Sequence, residues 1–292
     1  MTQDSVLSDP RYVQPGKGKG LIGVAQQRYL LSLLLKKGVS TRYYGSALGW
    51  VWSYVRPTMQ FFMYYLVIGT ILGHGKTIPN FAVYLFSGII TINLFSEIMR
   101  NATASIISNK ALVQKIYLPR EIFPIAATGN AIVHYLPQAA VLIVVCFFFG
   151  WTVGWIQIVA FVVGILILVI FTLGLGLFFG GLNVIYRDSK NVVDIILMFS
   201  TWASPVLYTF EMVKNVAPEW LYHFYMVNPV TTTVELMHTA FWSGTAEVIA
   251  ADPARPPELW MNTAIGAGVA ILTLLIGQLV FRRLEGRFAQ NL

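Results

Sequence analysis

The side chains that usually do chemistry are present in this chain, but not in the groupings that chemistry requires. The four histidines, His74, His134, His223 and His238, fall in separate segments with no HxxxH or CxxC-like set, so no metal site is expected. Cys146 is the only cysteine and lies inside the apolar string VLIVVCFFFG, which excludes an intrachain disulfide and reads as a small packed or lipid-facing hydrophobe. PGKGKG, residues 15–20, resembles a phosphate loop superficially, yet the GxxxxGK[ST] register occurs nowhere. Nucleotide therefore cannot be held in the Walker manner, and any energy from ATP must enter through another subunit. What does cluster is aromatic rings and cations. Tyr54, Thr58, Phe61 and Tyr65 recur at the i, i+4, i+7, i+11 spacing of one helix face, Arg56 sits among them, and Phe199, Trp202 and Tyr208 form a second group.

The elements that carry these residues are membrane helices. Of 292 residues, 56% are hydrophobic and 11% charged, about half the usual charged share of a soluble domain, and the mean hydropathy is +0.65. From Ile122 to Tyr186, 65 consecutive residues contain no Asp, Glu, Lys or Arg. A bilayer span needs about 20 apolar residues, so this stretch is expected to cross more than once, turning at Gly150 to Trp155. Apolar runs predict six spans, at about 47–72, 81–99, 125–149, 156–182, 192–208 and 264–281, the fifth short and containing Pro205. The N-terminal segment has no apolar run with a small-residue cleavage site, so no signal peptide is expected.

Six spans put both termini on one side, and charge chooses the side. With the termini inside, the inner segments hold 17 of the 20 basic residues against 7 acidic ones, and the outer segments hold only Lys76, Lys214 and Arg255 against 6 acidic residues. The positive-inside rule thus places both termini in the cytoplasm. The basic pI of 9.5 follows from this topology, and no base-reading motif accompanies it, so no nucleic-acid partner is expected.

Three non-spanning segments stand out. Leu21 to Lys37 predicts an amphipathic helix with Ile22, Ala25, Tyr29 and Leu33 on one side, either lying among lipid headgroups or anchoring span one. Arg100 to Arg120 encloses Ala111, Leu112, Val113, Ile116 and Tyr117 between basic residues. This predicts a short helix whose apolar side is either a docking patch or packed on the chain's own membrane face. Thr209 to Glu258 is rich in aromatic and aliphatic residues and suggests segments that dip back into the outer leaflet, or simple interfacial anchors. Glu97 and Arg100, three apart, suggest a local ion pair, and Arg187 with Asp188 opens the turn after span four.

Four strings, LGWVWSYVRP (48–57), NKALVQKIYLPREIFP (109–124), NVIYRDSKNVVDIILMFSTWASPVLY (183–208) and NPVTTTVEL (228–236), together resemble the membrane subunit of ABC-2 type exporters of the polysaccharide, O-antigen, teichoic acid and galactan branch, an actinobacterial cell-wall galactan exporter among them. The resemblance runs from about Leu21 to the C-terminus. It implies an all-α membrane protein of six transmembrane helices, divided into a cytoplasmic N-terminal segment (1–46) with an amphipathic interface helix and a transmembrane domain (47–292), with outer gate helices between spans five and six. It also implies a homodimer in the bacterial plasma membrane that moves a lipid-linked polysaccharide and is driven by two copies of a separate ATPase. ATP and Mg would then reside on that partner, leaving this chain without cofactor or catalytic residues.

Carried onto this sequence, the resemblance assigns ATPase coupling to Arg28 and to Asn109, Lys110, Leu112, Val113, Lys115, Ile116 and Tyr117, and an outer gate to Thr209 to Asn228. A sugar polymer presents C–H faces on which flat rings stack. Tyr54, Phe61, Tyr65, Phe199 and Trp202 are therefore candidates for the channel lining, with helix packing as the alternative. Arg56 is a candidate for the phosphate of a lipid-linked substrate, with snorkelling to ordinary headgroups as the alternative. Competing functions are an ABC-2 permease for a drug, haem or small lipid, a membrane-embedded glycosyltransferase or acyltransferase, and an ion-coupled transporter with a helix broken at Pro137. The uncharged 65-residue run, without a carboxylate pair or Ser-His-Asp set, argues against the last two.

Overall fold

A computed structural model describes residues 20–42, 45–46, 48–115, 118–252 and 256–292, and among these no strand occurs. Four helices are long and apolar enough to cross a membrane: α4 (Phe81–Ser108), α6 (Ile122–Phe148), α7 (Trp155–Ile185) and α13 (Leu259–Glu285). Before them come α1 (Gly20–Gln26), α2 (Arg28–Arg42) and α3 (Trp52–Tyr64), the last continuing as a π-helix over Tyr65–Ile71. Between them lie α5 (Lys110–Lys115), α8 (Ser189–Ser200), α9 (Phe210–Val216), α10 (Glu219–Met226), α11 (Pro229–Met237), extended by a π-helix His238–Trp242, and α12 (Ala246–Ala251). After them comes α14 (Phe288–Asn291).

The charge-free stretch is a hairpin of α6 and α7 that turns at Gly150, whose φ of +66° is open to glycine without strain. α6 runs through Pro137 unbroken, so the proline-broken helix expected of an ion-coupled transporter is absent there. The first expected span is helical from Gly49 to Ile71 but passes from α to π geometry at Tyr65. The fifth is a twelve-residue helix, α8, about 18 Å long, which is well short of a 30 Å hydrocarbon core. Its chain then bends through Pro205 onto α4, where the Tyr84 hydroxyl donates to the carbonyls of Pro205 (3.0 Å) and Tyr208 (2.9 Å).

α4 is the centre of the bundle. In its most apolar window 78% of residues are buried, against 22–39% in the other three long helices. It packs on α6, α7, α8 and α11. Glycines and small residues let these helices approach closely, as membrane helices require when lipid competes equally for apolar surface. A Cβ on Gly176 would lie 2.5 Å from that of Ala102, and one on Gly277 of α13 would lie 2.0 Å from the carbonyl oxygen of Gly174 in α7.

The second span is longer than expected, since α4 continues past Met99 to Ser108. Ala102, Thr103 and Ser105 are buried there, and Asn183 Nδ2 of α7 donates to the Thr103 carbonyl at 3.1 Å. After α10 the chain turns into the bundle: every residue of α11 is buried, against α7, α13 and α4. Its far end is stitched to the α6–α7 turn by Trp151 Nε1 donating to Ala240 (3.1 Å) and Thr152 N donating to Gly244 (2.8 Å).

Candidate functional site

At the end of the bundle that carries α1, α2 and α5, a cavity of about 830 Å³ opens between α2, α3, α4 and α6. Its position follows from how α2 docks. Gly38 lies so close to α6 that a Cβ there would fall 1.9 Å from Asn130 Nδ2, and Leu35 fills the space over Gly129. Val24 and Leu34 are buried with Ile106, Ile122 and Phe281 in a core at this end. The inward face of this helical pair is therefore the one with Val24 and Leu34. Tyr29, 78% exposed, Leu33 and Ala25 share the outward side, the grouping expected from the sequence; the Ile22 side chain lies outside the described residues.

The cavity wall is polar and basic. Among the described residues Lys37, Arg42, Arg56 and Arg100 line it, with Glu97 as the one carboxylate, together with the amides of Gln60, Asn93, Asn101, Asn130 and Gln138. Two of the cations are committed. Arg42 forms a close ion pair with Glu97, and Arg100 Nε donates to Asp194 Oδ1 of α8 at 3.1 Å. The local Glu97–Arg100 pair expected from the sequence is thus replaced by two long-range pairs. Lys37 donates to Asn109 Oδ1 at 3.3 Å, joining α2 to the loop after α4. Arg56 makes no ion pair among the described residues and is exposed at the cavity wall, one residue before the buried Pro57. At the start of α3, Trp50 packs against the buried His134 ring at 5.7 Å between centroids. A wall with four cations, one carboxylate and many amide donors suits a phosphate or pyrophosphate ester whose organic part carries hydroxyls.

The remaining expected site residues fall into two sets. Around α5, Arg28, Lys110 and Lys115 are exposed, Asn109 and Leu112 are half-buried, and Val113 is buried in the core beside Ile122; Ile116 and Tyr117 lie outside the described residues. Of the two readings of this segment, the described part takes the inward one. Its apolar side packs on the chain's own core and presents a basic, polar surface outward. Among the rings, Phe61 stacks on Tyr65 (5.6 Å) and meets Phe86 of α4 edge-on (5.5 Å), while Tyr65 stacks on Phe81 (6.1 Å). Tyr54, Phe199 and Trp202 are exposed, the last two at 59% and 57%. α3 lies against α4 and α6, and α8 against α4 and α7, so the two ring groups flank the central helix.

Sequence reasoning missed the cavity because its walls come from residues about 100 positions apart. Ionisable residues inside expected spans, Glu97 and Asp194, were the available signal, since such groups are costly in a membrane and pair with a partner.

Comparison with known proteins places this arrangement. Residues 29–242 match the profile of the ABC-2 type transporter. An O-antigen export system permease protein RfbA of Klebsiella pneumoniae is 26% identical over 267 residues, covering 90% of this chain and 95% of the relative. A protein of the same name from Myxococcus xanthus is 24% identical, covering 91% and 96%. The polysialic acid transport protein KpsM of Escherichia coli is 23% identical over 226 residues, covering 76% and 84%.

Proposed function

The chain belongs to the ABC-2 type transporter family, and from that premise we propose that it is the membrane permease subunit of an exporter that moves a lipid-linked polysaccharide across the bacterial plasma membrane. The observation that carries the substrate class is the near end-to-end similarity to permeases named for O-antigen export, seconded by one named for polysialic acid transport. The basic, amide-lined cavity supports it, because a polyprenyl-linked polymer is a phosphate ester with a hydroxylated body. In this reading Arg56, which makes no ion pair among the described residues, meets the phosphate, and the glycan passes the rings of Tyr54, Phe61, Tyr65, Phe199 and Trp202. A drug, haem or small-lipid substrate is disfavoured by the relatives, which are named for O-antigen export and polysialic acid transport.

The assembly in this reading is a homodimer with two ATPase subunits, which hold the ATP and Mg. Both termini are cytoplasmic, and the first helical stretch (Gly49 to Ile71) and the short fifth helix join the four long ones to make six spans. Arg28, Lys110 and Lys115 form the exposed part of the ATPase contact, with Asn109, Leu112 and Val113 behind them and Ile116 and Tyr117 completing the segment. α9 and α10 act as the outer gate. Deletion of the gene should abolish one surface polysaccharide and accumulate its lipid-linked form inside the cell, and a tagged copy should co-purify with an ATPase. Unchanged surface polymer together with purification free of any ATPase would overturn the proposal.

A further inference from the structure

At the end of the bundle opposite the basic cavity lies a second one, of about 560 Å³, within the roughly 300–1,000 Å³ typical of small-ligand pockets. Its floor is buried and chemically unusual. Glu235 and His238, 4% and 2% exposed, both line it, and Glu235 Oε1 and both His238 ring nitrogens have no hydrogen-bond partner among the described residues. They do not satisfy each other, since His238 Nδ1 and Glu235 Oε2 are 3.8 Å apart, beyond hydrogen-bond reach. The fold holds them there firmly. The His238 ring stacks on Tyr84 at 3.8 Å, the Tyr84 hydroxyl is already spent on the Pro205 and Tyr208 carbonyls, and Trp242 Nε1 donates to the Pro79 carbonyl at 2.7 Å. Buried polar groups without partners are costly, and two in one cavity call for something that enters and satisfies them.

The walls say what would. Trp242 and the half-exposed Trp260 add flat apolar rings to that of Tyr84, Glu211 and Glu258 add carboxylates at the rim, and no Lys or Arg lines the cavity among the described residues. A described lining that holds three carboxylates and no cation disfavours an anion. A metal cation is disfavoured, because among the described residues no three His, Cys, Asp or Glu side chains come together in a way that could hold one. Rings for C–H faces with a carboxylate and an imidazole for hydroxyls are the chemistry of a neutral sugar.

We propose that this cavity binds a sugar residue of the exported polymer on the outer side of the membrane, with Glu235 and His238 hydrogen-bonding its hydroxyls and Trp260 stacking on its face. The inference rests on the polysaccharide reading above, and the experiment separates the two. The surface polymer lost on gene deletion is identified first, and failure at that step overturns the export reading instead. Oligosaccharides released from that polymer by mild acid are then titrated onto the full-length permease–ATPase complex in lipid nanodiscs and followed by saturation-transfer difference NMR. Saturable binding weakened tenfold or more by Glu235→Gln and by Trp260→Ala is expected, with Gly268→Ala, where an added Cβ meets nothing within 4 Å, leaving it unchanged. Trp260 is at the surface, so its variant remains informative if Glu235→Gln fails to fold. Absence of binding, binding retained in both pocket variants, or a site filled by calcium chloride and not by the sugar would overturn the proposal.

Discussion

The crossing of α7 and α13 can be tested at a single atom. Replacing Gly277 by alanine adds a Cβ 2.0 Å from the Gly174 carbonyl oxygen and 2.9 Å from its carbonyl carbon, both backbone atoms in a long helix that cannot rotate away. Ordinary contact begins near 3.4 Å, so the helices must separate locally by about 1.4 Å. A gap of 0.5–1 Å already forfeits a quarter to a half of the dispersion well for each atom pair, and overpacking of this kind costs about 1–3 kcal/mol. With the clash falling on backbone, the upper half of that range applies, and about 2–3 kcal/mol corresponds to a 30- to 150-fold rise in the unfolded fraction. α13 carries its own control. At Gly268 a Cβ meets nothing within 4 Å, so Gly268→Ala should be neutral or stabilising by up to about 1 kcal/mol through helix propensity. Both variants would be unfolded by SDS in mixed micelles, read by far-UV circular dichroism. Gly174→Ala, which clashes with the backbone of Thr273 and Leu274, should be non-additive with Gly277→Ala, because one separation relieves both clashes. A Gly277→Ala protein as stable as Gly268→Ala would refute the packing argument.

Three further outcomes are expected. Arg42→Ala leaves the largely buried Glu97 without its cation. Because Arg42 itself is 38% exposed, the expected loss is about 1–2 kcal/mol, less than for a fully buried pair, and adding Glu97→Gln should recover most of it in the same SDS titration. Lys110→Glu with Lys115→Glu reverses the exposed charge of α5 without touching the buried Val113; recovery of the ATPase on affinity purification should fall at least tenfold while the permease stays folded. Replacing Phe61, Tyr65 and Trp202 by leucine should reduce surface polymer while leaving the purified complex assembled, and unchanged export would remove those rings from the pathway.

Much of the scaffold can be read from the sequence because lipid enforces simple rules. The uncharged run becomes α6 and α7 with their turn at Gly150, since only hydrogen-bonded helices fit an apolar solvent and only glycine takes the turn easily. The same rule misplaces the end of α4. Arg100 looks like a boundary, but Asp194 neutralises it, and the small residues that follow pack on the glycine face of α7 instead of ending the helix. The inward side of α2 could not be read for a related reason: Gly38 and Leu35 choose the docking face by close approach to α6, and periodicity does not register closeness. The two cavities were illegible because they join segments remote in sequence. Spacing within one helix, as in Glu97 and Arg100, points to the wrong partner when a better one lies 55 or 94 residues away.

The sheathing of α4 has a consequence for how the chain is made. Its neighbours α6, α7, α8 and α11 are all synthesised after it, and the partner that caps its Thr103 carbonyl, Asn183, follows 80 residues later. At about 5–20 residues per second, the Thr103 carbonyl waits roughly 4–16 s for Asn183, and Arg100 waits about 5–19 s for Asp194, 94 residues on. During that interval Arg42, on a segment already translated, is available to neutralise Glu97. The newborn helix thus carries unmet polar groups until the segments that will enclose it have emerged.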